Sequence, residues 1–476
     1  MRPGSMDDTI AAISTPIGEG GIAIVRLSGP AALKIAGKIF VPKDGKRPSA
    51  FRTYTVHYGH VVGATVHGPR STATKNRKSK IVDEVLLTVM RAPKSYTKED
   101  VVEINCHGGI QAAKNVLELT VRCGARVAQP GEFTKRAFMN GRIDLVQAEA
   151  VLDVIRAKTE RSVRAAMGQL EGGLSERVNG IRDAMVDVAS HIEVSIDFPD
   201  EEARIAREGG LIKKAEGIVR ELKELSATFD EGAILREGVL AVICGKPNVG
   251  KSSLMNLLLK RDRVIVTPEP GTTRDAVEEM INLKGIPIRL ADTAGITETG
   301  DAAEREGVRR SRRYMEAADI ALLVLDGSGR IDGKDMDVIC ALGGKKKIVV
   351  INKTDLARKI SASRISRLFK GDRTIEISVE KRKNIKELEG LIAEAVWHGG
   401  FVQGEGAMVT NARHKELLDK ALDRMLSVCK GLRARQGPEL VAIDLKEAVF
   451  STGLIVGSSV SDEVLDRIFE QFCIGK

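Results

Sequence analysis

Residues 239–260 read VLAVICGKPNVGKSSLMNLLLK. An apolar, strand-like run ends at Gly245, and helical periodicity begins after Gly250-Lys251-Ser252, with the spacing G-x-x-x-x-G-K-S between. No other stretch restricts the fold as much, because strand, tight loop and helix must follow one another in this order. Glycines at both ends let the backbone N–H groups of a loop curl around phosphate oxygens. Lys251 then reaches the β and γ oxygens, and the Ser252 hydroxyl ligates magnesium. Gly245, Asn248, Val249, Gly250, Lys251, Ser252 and Ser253 are the expected phosphate contacts.

Three later segments select the nucleotide. Asp292-Thr293-Ala294-Gly295 follows the strand-like IPIRLA, which puts a carboxylate beside the magnesium and the Gly295 N–H near the γ-phosphate. Asn352-Lys353-Thr354-Asp355 follows KIVV, where a carboxylate can accept from the N1–H and the exocyclic amine of guanine. Adenine offers neither donor, so GTP is expected over ATP. Ser378-Val379-Glu380 after TIEI resembles the weaker base-contacting loop of GTPases, with Val and Glu where Ala-Lys is usual. The ordered set resembles a GTPase of the translation-factor superclass.

Ile296 stands where Ras-like enzymes carry the glutamine that orients water. A substitute is available from Asn248, whose amide oxygen lies in the middle of the phosphate loop, and from Thr267-Pro268-Glu269-Pro270-Gly271-Thr272-Thr273-Arg274-Asp275. Carbonyls of that segment could share a monovalent cation with Asn248, placing positive charge where an arginine finger acts elsewhere. The alternative is that Asn248 only stabilises its loop.

The rest of the chain frames this segment. At 476 residues with 43% hydrophobic content, about three domains are expected. Residues 8–128 alternate short apolar runs with turns and read as α+β, with helical stretches at 30–40 and 110–123. Helical periodicity starts near Phe138, continues to 235 and returns at 411–430, 438–450 and 461–472. The expected division is 6–140, an N-terminal α+β domain; 141–236, the first part of a helical domain; 237–400, an inserted α/β domain; and 401–476, the second helical part. Six scattered cysteines fit a reducing, cytoplasmic setting. No apolar run is long enough to span a bilayer, so no membrane association is expected. The leading MRPGS reads as vector-derived, with the native start expected at Met6. A net charge of +9 permits a polyanionic partner, and the loop 68–80 carries five basic residues and no acid. With 3% aromatic residues there is little surface for stacking bases.

With these motifs, GIAIVRLSG, CHGG, QPGEFTKRAFMNGRIDLVQAEA (129–150) and the terminal CIGK, the chain resembles the MnmE (TrmE) family of tRNA-modification GTPases from Met6 to its end. The resemblance implies an N-terminal α+β folate-binding and dimerisation domain, a helical-bundle domain and an inserted Ras-like P-loop GTPase domain. It assigns potassium to Asn248, Thr267, Glu269 and Thr272, magnesium to Ser252 and Thr273, and a catalytic, water-orienting role to Glu304. Arg26, Glu103, Arg142 and Lys476 would hold 5,10-methylenetetrahydrofolate or 5-formyltetrahydrofolate. Arg142 replaces the lysine of many relatives, and His107 is a further pocket candidate or a structural histidine. The family forms homodimers and a heterotetramer with the flavin-containing MnmG (GidA) protein. Together they add an aminomethyl or carboxymethylaminomethyl group at C5 of the tRNA wobble uridine. The glycines of PIGEGGIAIVRL precede a strand, the wrong order for a dinucleotide turn, so flavin is expected in the partner.

The chain ends FCIGK, which lacks the aliphatic residues of a prenylation signal. If the helical domain returns to the N-terminal one, Gly475 allows close approach, Lys476 meets the folate and Cys473 sits near the one-carbon unit. Cys473 is expected to be catalytic, with positioning or packing as the alternatives. Two other functions compete: a GTPase acting in ribosome assembly, and a GDP-bound scaffold without meaningful hydrolysis.

Overall fold

The computed structural model describes residues 8–63, 80–197, 210–262, 278–292, 312–397 and 407–476. The chain divides into two compact units, one formed by the residues up to Leu152 together with Val456–Lys476, the other by Asp153–Ile455.

In the first unit, β1 (Ile10–Ile13), β2 (Ile22–Ser28), α1 (Ala32–Ile39), β3 (Phe40–Pro42), β4 (Thr55–Val62), β5 (Ile81–Met90), β6 (Val101–His107), α2 (Ile110–Arg122), β7 (Arg126–Val127) and α3 (Glu132–Met139) follow in order. α4 (Leu145–Arg156) runs on into the second unit, and α15 (Asp462–Phe469) comes back at the C-terminus. The seven strands form one sheet in the order β3-β4-β5-β6-β2-β1-β7. Period-two alternation decides its faces. Val25, Leu27, Val61, Leu87, Val89, Val102 and Ile104 point into a core shared with Leu33, Ile35 and Ile39 of α1 and Val116 of α2. The intervening residues of the same strands make the opposite face. Cross-strand register lines up Tyr58, Leu86, Asn105 and Ile24 in one row there, and Val56, Thr88, Glu103 and Arg26 in the next. Tyr58 and Leu86 remain 40% and 42% exposed, and Val56 58%, so this face is open in the single chain.

The second unit begins with α5 (Glu160–Leu170), α6 (Gly173–Asp197), α7 (Gly210–Ala227) and α8 (Phe229–Glu237). An α/β segment follows: β8 (Val239–Cys244), α9 (Lys251–Asp262), β9 (Glu278–Leu283), β10 (Ile286–Asp292), β11 (Ile320–Asp326), α10 (Gly333–Leu342), β12 (Lys347–Asn352), α11 (Ala362–Leu368), β13 (Arg373–Glu376) and α12 (Ile385–Val396). The unit ends with α13 (Ala412–Arg433) and α14 (Pro438–Val456). Its sheet has the order β13-β12-β11-β8-β10-β9, all parallel except the β9–β10 pair. Every residue of β8 is buried. This is what a central parallel strand requires, since Val239, Ala241 and Ile243 meet a layer containing α9 and α12 while Leu240, Val242 and Cys244 meet one containing α11.

Helices from before and after the α/β segment pack on each other. The Ser226 hydroxyl on α7 donates to Asp419 Oδ1 on α13 at 2.6 Å, and Gln169 on α5 donates to Met408 O at 2.6 Å. Gly232 of α8 lies so close to Val409 that a Cβ there would fall 2.0 Å from its carbonyl oxygen. Among the described residues, no helix is long and apolar enough to cross a membrane, and no group of three or more His, Cys, Asp or Glu side chains could hold a metal.

Candidate functional site

β8 is flanked by β10 on one side and β11 on the other, the point in a doubly wound sheet where a crevice opens beyond the strand ends. The loop 245–250 lies there, between β8 and the N-terminus of α9. Its backbone requires the residues it has. Gly245 takes φ +146°, and a Cβ there would sit 2.4 Å from Val324 O. Gly250 takes φ +99°, and a Cβ there would strike Asn352 Nδ2. Asn248 adopts φ +64°, a left-handed conformation that asparagine tolerates better than most residues. Its side chain is exposed. Val249 is buried beneath the loop, and Ser253 is exposed on the first turn of α9.

Lys251 is buried, with its ammonium donating to Lys246 O at 2.9 Å. Burial lowers its pKa, opposed by the charge of Asp292. The Ser252 hydroxyl donates to Asp292 Oδ2 at 2.8 Å, which brings two hard oxygen donors together at the first turn of α9. That pair fits magnesium, which prefers oxygen ligands and few protein groups.

The segments expected to read the base converge through hydrogen bonds between residues far apart in sequence. Asn352 donates through Nδ2 to Val249 O at 2.9 Å and accepts at Oδ1 from Val379 N at 3.1 Å, so one side chain ties phosphate loop, guanine loop and third loop together. Ser378 Oγ donates to Asp355 Oδ1 at 2.5 Å. That bond holds the Asp355 carboxyl below the usual range, ionised and able to accept. Thr354 is pinned through its hydroxyl to Ile377 O at 2.9 Å. Lys353, at φ +64°, donates to Asp326 Oδ2 at 2.6 Å. Glu380 is exposed, with no side-chain hydrogen bond among the described residues.

Thr267, Pro268, Glu269, Pro270, Gly271, Thr272, Thr273, Thr293, Ala294, Gly295, Ile296 and Glu304, and all but the last residue of the basic loop 68–80, lie outside the described residues.

A second constellation stands on the open face of the first unit's sheet. Arg26 on β2 and Glu103 on β6 are register partners, with Nε 2.8 Å from Oε1 and both side chains mostly buried. Glu103 Oε2 has no hydrogen-bond partner among the described residues, so the carboxylate retains acceptor capacity. The Arg26 guanidinium lies 5.9 Å from the Tyr96 ring centre and 5.7 Å from that of Phe133, and Arg142 covers Tyr96 at 4.8 Å.

The C-terminus is laid against these groups. Phe469 and Phe472 are buried with Leu145, Ala148 and Leu152, their rings 5.5 Å apart. Beyond them Ile474 bridges to Pro130, the Phe133 N–H donates to Lys476 O at 3.2 Å, and Ser14 Oγ and Arg26 Nη1 donate to Gly475 O at 3.1 and 3.3 Å. Gly475 takes φ +96°, and a Cβ there would stand 2.4 Å from Ile13 O. Lys476 is half-buried. Burial, then the Arg26 charge, lower its pKa, while Cys473 and Glu103 oppose. Cys473 is exposed and all six cysteines are free. Arg26, Glu103, Arg142, Cys473 and Lys476 thus belong to one region.

His107 does not join it. Its register partner is Ile22, four strand positions from the Arg26–Glu103 pair, or about 13 Å along β6. Its ring is exposed, with Nδ1 2.6 Å from Asp83 Oδ1, and the hydrogen bond to that carboxylate raises its pKa. It closes the end of β6 onto β5, which is the structural-histidine alternative for this residue.

Asp326, Lys246 and Tyr96 did not stand out in the sequence. Lys246 reaches Asp332 at 2.9 Å and Asp335 at 2.8 Å, the two residues of the capping box that opens α10, and so anchors the phosphate loop to that helix. Tyr96 has one detectable signal, an isolated aromatic in the polar stretch PKSYTKED.

Residues 145–473 match the profile of the MnmE helical domain, and residues 9–142 that of the GTP-binding protein TrmE N-terminus. The tRNA modification GTPase MnmE of Carboxydothermus hydrogenoformans is 47% identical over 472 residues, 99% of this chain and all of its own. The chain belongs to the MnmE family. Another MnmE, from Bacillus velezensis, is 46% identical over 98% of this chain and 100% of itself. A solved structure of Aquifex aeolicus Era bound to GDP·AlF4− shares 27% identity over 40% of this chain and 67% of its own, at a TM-score of 0.27, too weak a superposition to add to the MnmE assignment.

Proposed function

We propose that this chain is the GTP hydrolase of a tRNA-modifying complex. That complex places an aminomethyl or carboxymethylaminomethyl group on C5 of the wobble uridine, with a tetrahydrofolate derivative as the one-carbon donor. GTP and tRNA modification follow from MnmE membership and the assembled nucleotide loops. The folate assignment is carried by one observation: the C-terminal tail, the Arg26–Glu103 pair and Arg142 meet around Tyr96 on a single sheet face.

Those groups suit the ligand. A pterin presents a guanine-like N–H edge to which Glu103 can give acceptors, and Arg26, Arg142 and Lys476 offer cations to its anionic groups. A bound folate would supply the carbon, while the chain's residues orient it and Cys473 lies at hand as a positioning or catalytic thiol. In the nucleotide site, Lys251 and the loop N–H groups hold the phosphates. Ser252, Asp292 and, from outside the described residues, Thr273 would hold magnesium, which neutralises the charge on the β- and γ-oxygens. The exposed Asn248 amide is free to ligate potassium with Thr267, Glu269 and Thr272, and Glu304 would orient water.

The homodimer belongs to the same proposal. Ile22, Val56, Tyr58 and Leu86 are exposed on the sheet face that carries Arg26 and Glu103, and a second copy laid there would cover them. The heterotetramer with the flavin-containing MnmG protein, the division of labour among N-terminal, helical and inserted GTPase domains, and a cytoplasmic setting complete it.

Calorimetry of the full chain with 5-formyltetrahydrofolate tests the reading. One site per chain, lost in Glu103→Ala, is expected. No heat from a chain that still hydrolyses GTP would leave ribosome assembly as the better account.

A further inference from the structure

Residues 345–386 hold fourteen lysines and arginines against four aspartates and glutamates, a net +10 where the whole chain carries +9. Nine of the fourteen fall into two groups in the structure. Lys347 pairs with Asp372, Lys353 with Asp326, Arg358 with Glu376 and Arg373 with Glu394, while Lys345 caps Ala318 O at 2.9 Å. Lys359, Arg364, Arg367 and Lys370 have no acidic partner among the described residues.

These four share one short segment, α11 and its flanks, and all are exposed. No acid occurs from 356 to 371. The inner side of α11 is fixed by Ile360, Ile365 and Phe369, each buried in the layer beneath the sheet. Arg364 and Arg367, three positions apart, occupy the same outward face. Like charges at that spacing repel and weaken a short helix. A face selected only for solubility would intersperse acids.

We propose that the outward face of α11, with Lys359 and Lys370, docks the phosphate backbone of tRNA. This rests on the reading of the chain as acting in tRNA modification. Phe369 is turned inward, so the face offers no ring on which a base could stack. Its contacts therefore position the RNA without reading its sequence, and discrimination among tRNAs comes from elsewhere in the complex.

The test is fluorescence anisotropy of labelled tRNA with the full chain, between about 50 and 200 mM salt. The wild type is compared with Arg364→Ala/Arg367→Ala/Lys370→Ala, with GTP hydrolysis and thermal midpoint as controls that stay unchanged. The triple variant should bind roughly tenfold more weakly at low salt, with a log–log salt slope shallower by about 2–3, near one unit per lost phosphate contact. Arg364→Lys/Arg367→Lys should keep the slope. If the triple variant fails to fold, Arg364→Gln and Lys370→Gln each report a slope change of about one. An unchanged slope and affinity in folded variants overturn the surface alone. A wild-type chain that binds no tRNA, alone or with its flavoprotein partner, overturns the surface and the tRNA reading together. Unchanged tRNA binding with lost flavoprotein association shows an acidic protein surface to be the occupant and also overturns the proposal.

Discussion

The Asp326 carboxylate holds Lys353 from beneath the guanine loop: Oδ2 lies 2.6 Å from the ammonium, and Oδ1 accepts from the Ser328 N–H at 2.9 Å and the Ser328 hydroxyl at 2.6 Å. Burial alone would raise the Asp326 pKa, but hydrogen bonds from Lys353 and Ser328 carry it below the usual range, so the carboxylate is charged. Lys353 pays for a left-handed backbone, φ +64°, that only its surroundings can enforce. Asp326→Asn keeps the shape and removes the charge. It should weaken GDP binding by roughly tenfold, the value of one charge-assisted hydrogen bond at about 1–2 kcal/mol. Titration with a fluorescent GDP analogue measures it. The thermal midpoint should move by no more than a few degrees.

Gly475→Ala tests whether the tail builds the proposed folate site. The new methyl would meet Ile13 O in a backbone conformation that already disfavours a side chain, so the last residues must lift away. Strain of about 1–3 kcal/mol corresponds to a roughly five- to 150-fold loss of 5-formyltetrahydrofolate affinity. The nucleotide loops belong to the other unit and GDP affinity should not change. Calorimetry with each ligand separates the two, and full folate affinity in the variant would detach the tail from the site.

What the sequence disclosed follows from how locally each feature is encoded. The phosphate loop is legible because its strand, glycines and helix are contiguous, and β8 is legible because a strand covered on both faces is apolar throughout. The helices at 32–39 and 110–122 announce themselves by periodicity. Asp326 and Lys246 were hidden because their roles are tertiary. Asp326 meets Lys353 across neighbouring strands, and Lys246 finds Asp332 and Asp335 some 86 and 89 residues away. For His107 the sequence left a pocket residue and a structural histidine both open, because proximity to Glu103 says nothing of the four strand positions that separate them along β6.

Gln169→Leu addresses the join between helices on either side of the α/β segment. The Gln169 amide is buried and donates to Met408 O at 2.6 Å and to Thr410 Oγ1 at 3.0 Å. Leucine fills the volume but leaves both acceptors without that donor in a dry place. A destabilisation of about 1–3 kcal/mol is expected, read as a lower urea midpoint. A midpoint unchanged from wild type would mean that apolar packing alone holds the joint.

The first unit should be acid-sensitive through one network. Arg136, nearly fully buried, bonds Asp8, Glu99 and Glu132, while Arg126 bonds Asp8 and Glu132 from the other side. Burial pushes the Asp8 and Glu132 carboxyls up, but hydrogen bonds and charges from the two arginines outweigh it, and both end below their ordinary values. A carboxyl depressed in the folded state contributes stability that is complete above its unfolded value, near 4, and is lost as pH falls through the lower folded value. The thermal midpoint should therefore be flat from neutral pH to about 5 and fall progressively below about 4. Arg136→Leu removes the central cation. At neutral pH the variant should be strongly destabilised, because three carboxylates lose a buried partner. Its decline on acidification should be shallower, since protonation now relieves repulsion between Asp8 and Glu132. Midpoints recorded for both proteins across this range decide it, and parallel curves would remove the network from the acid response.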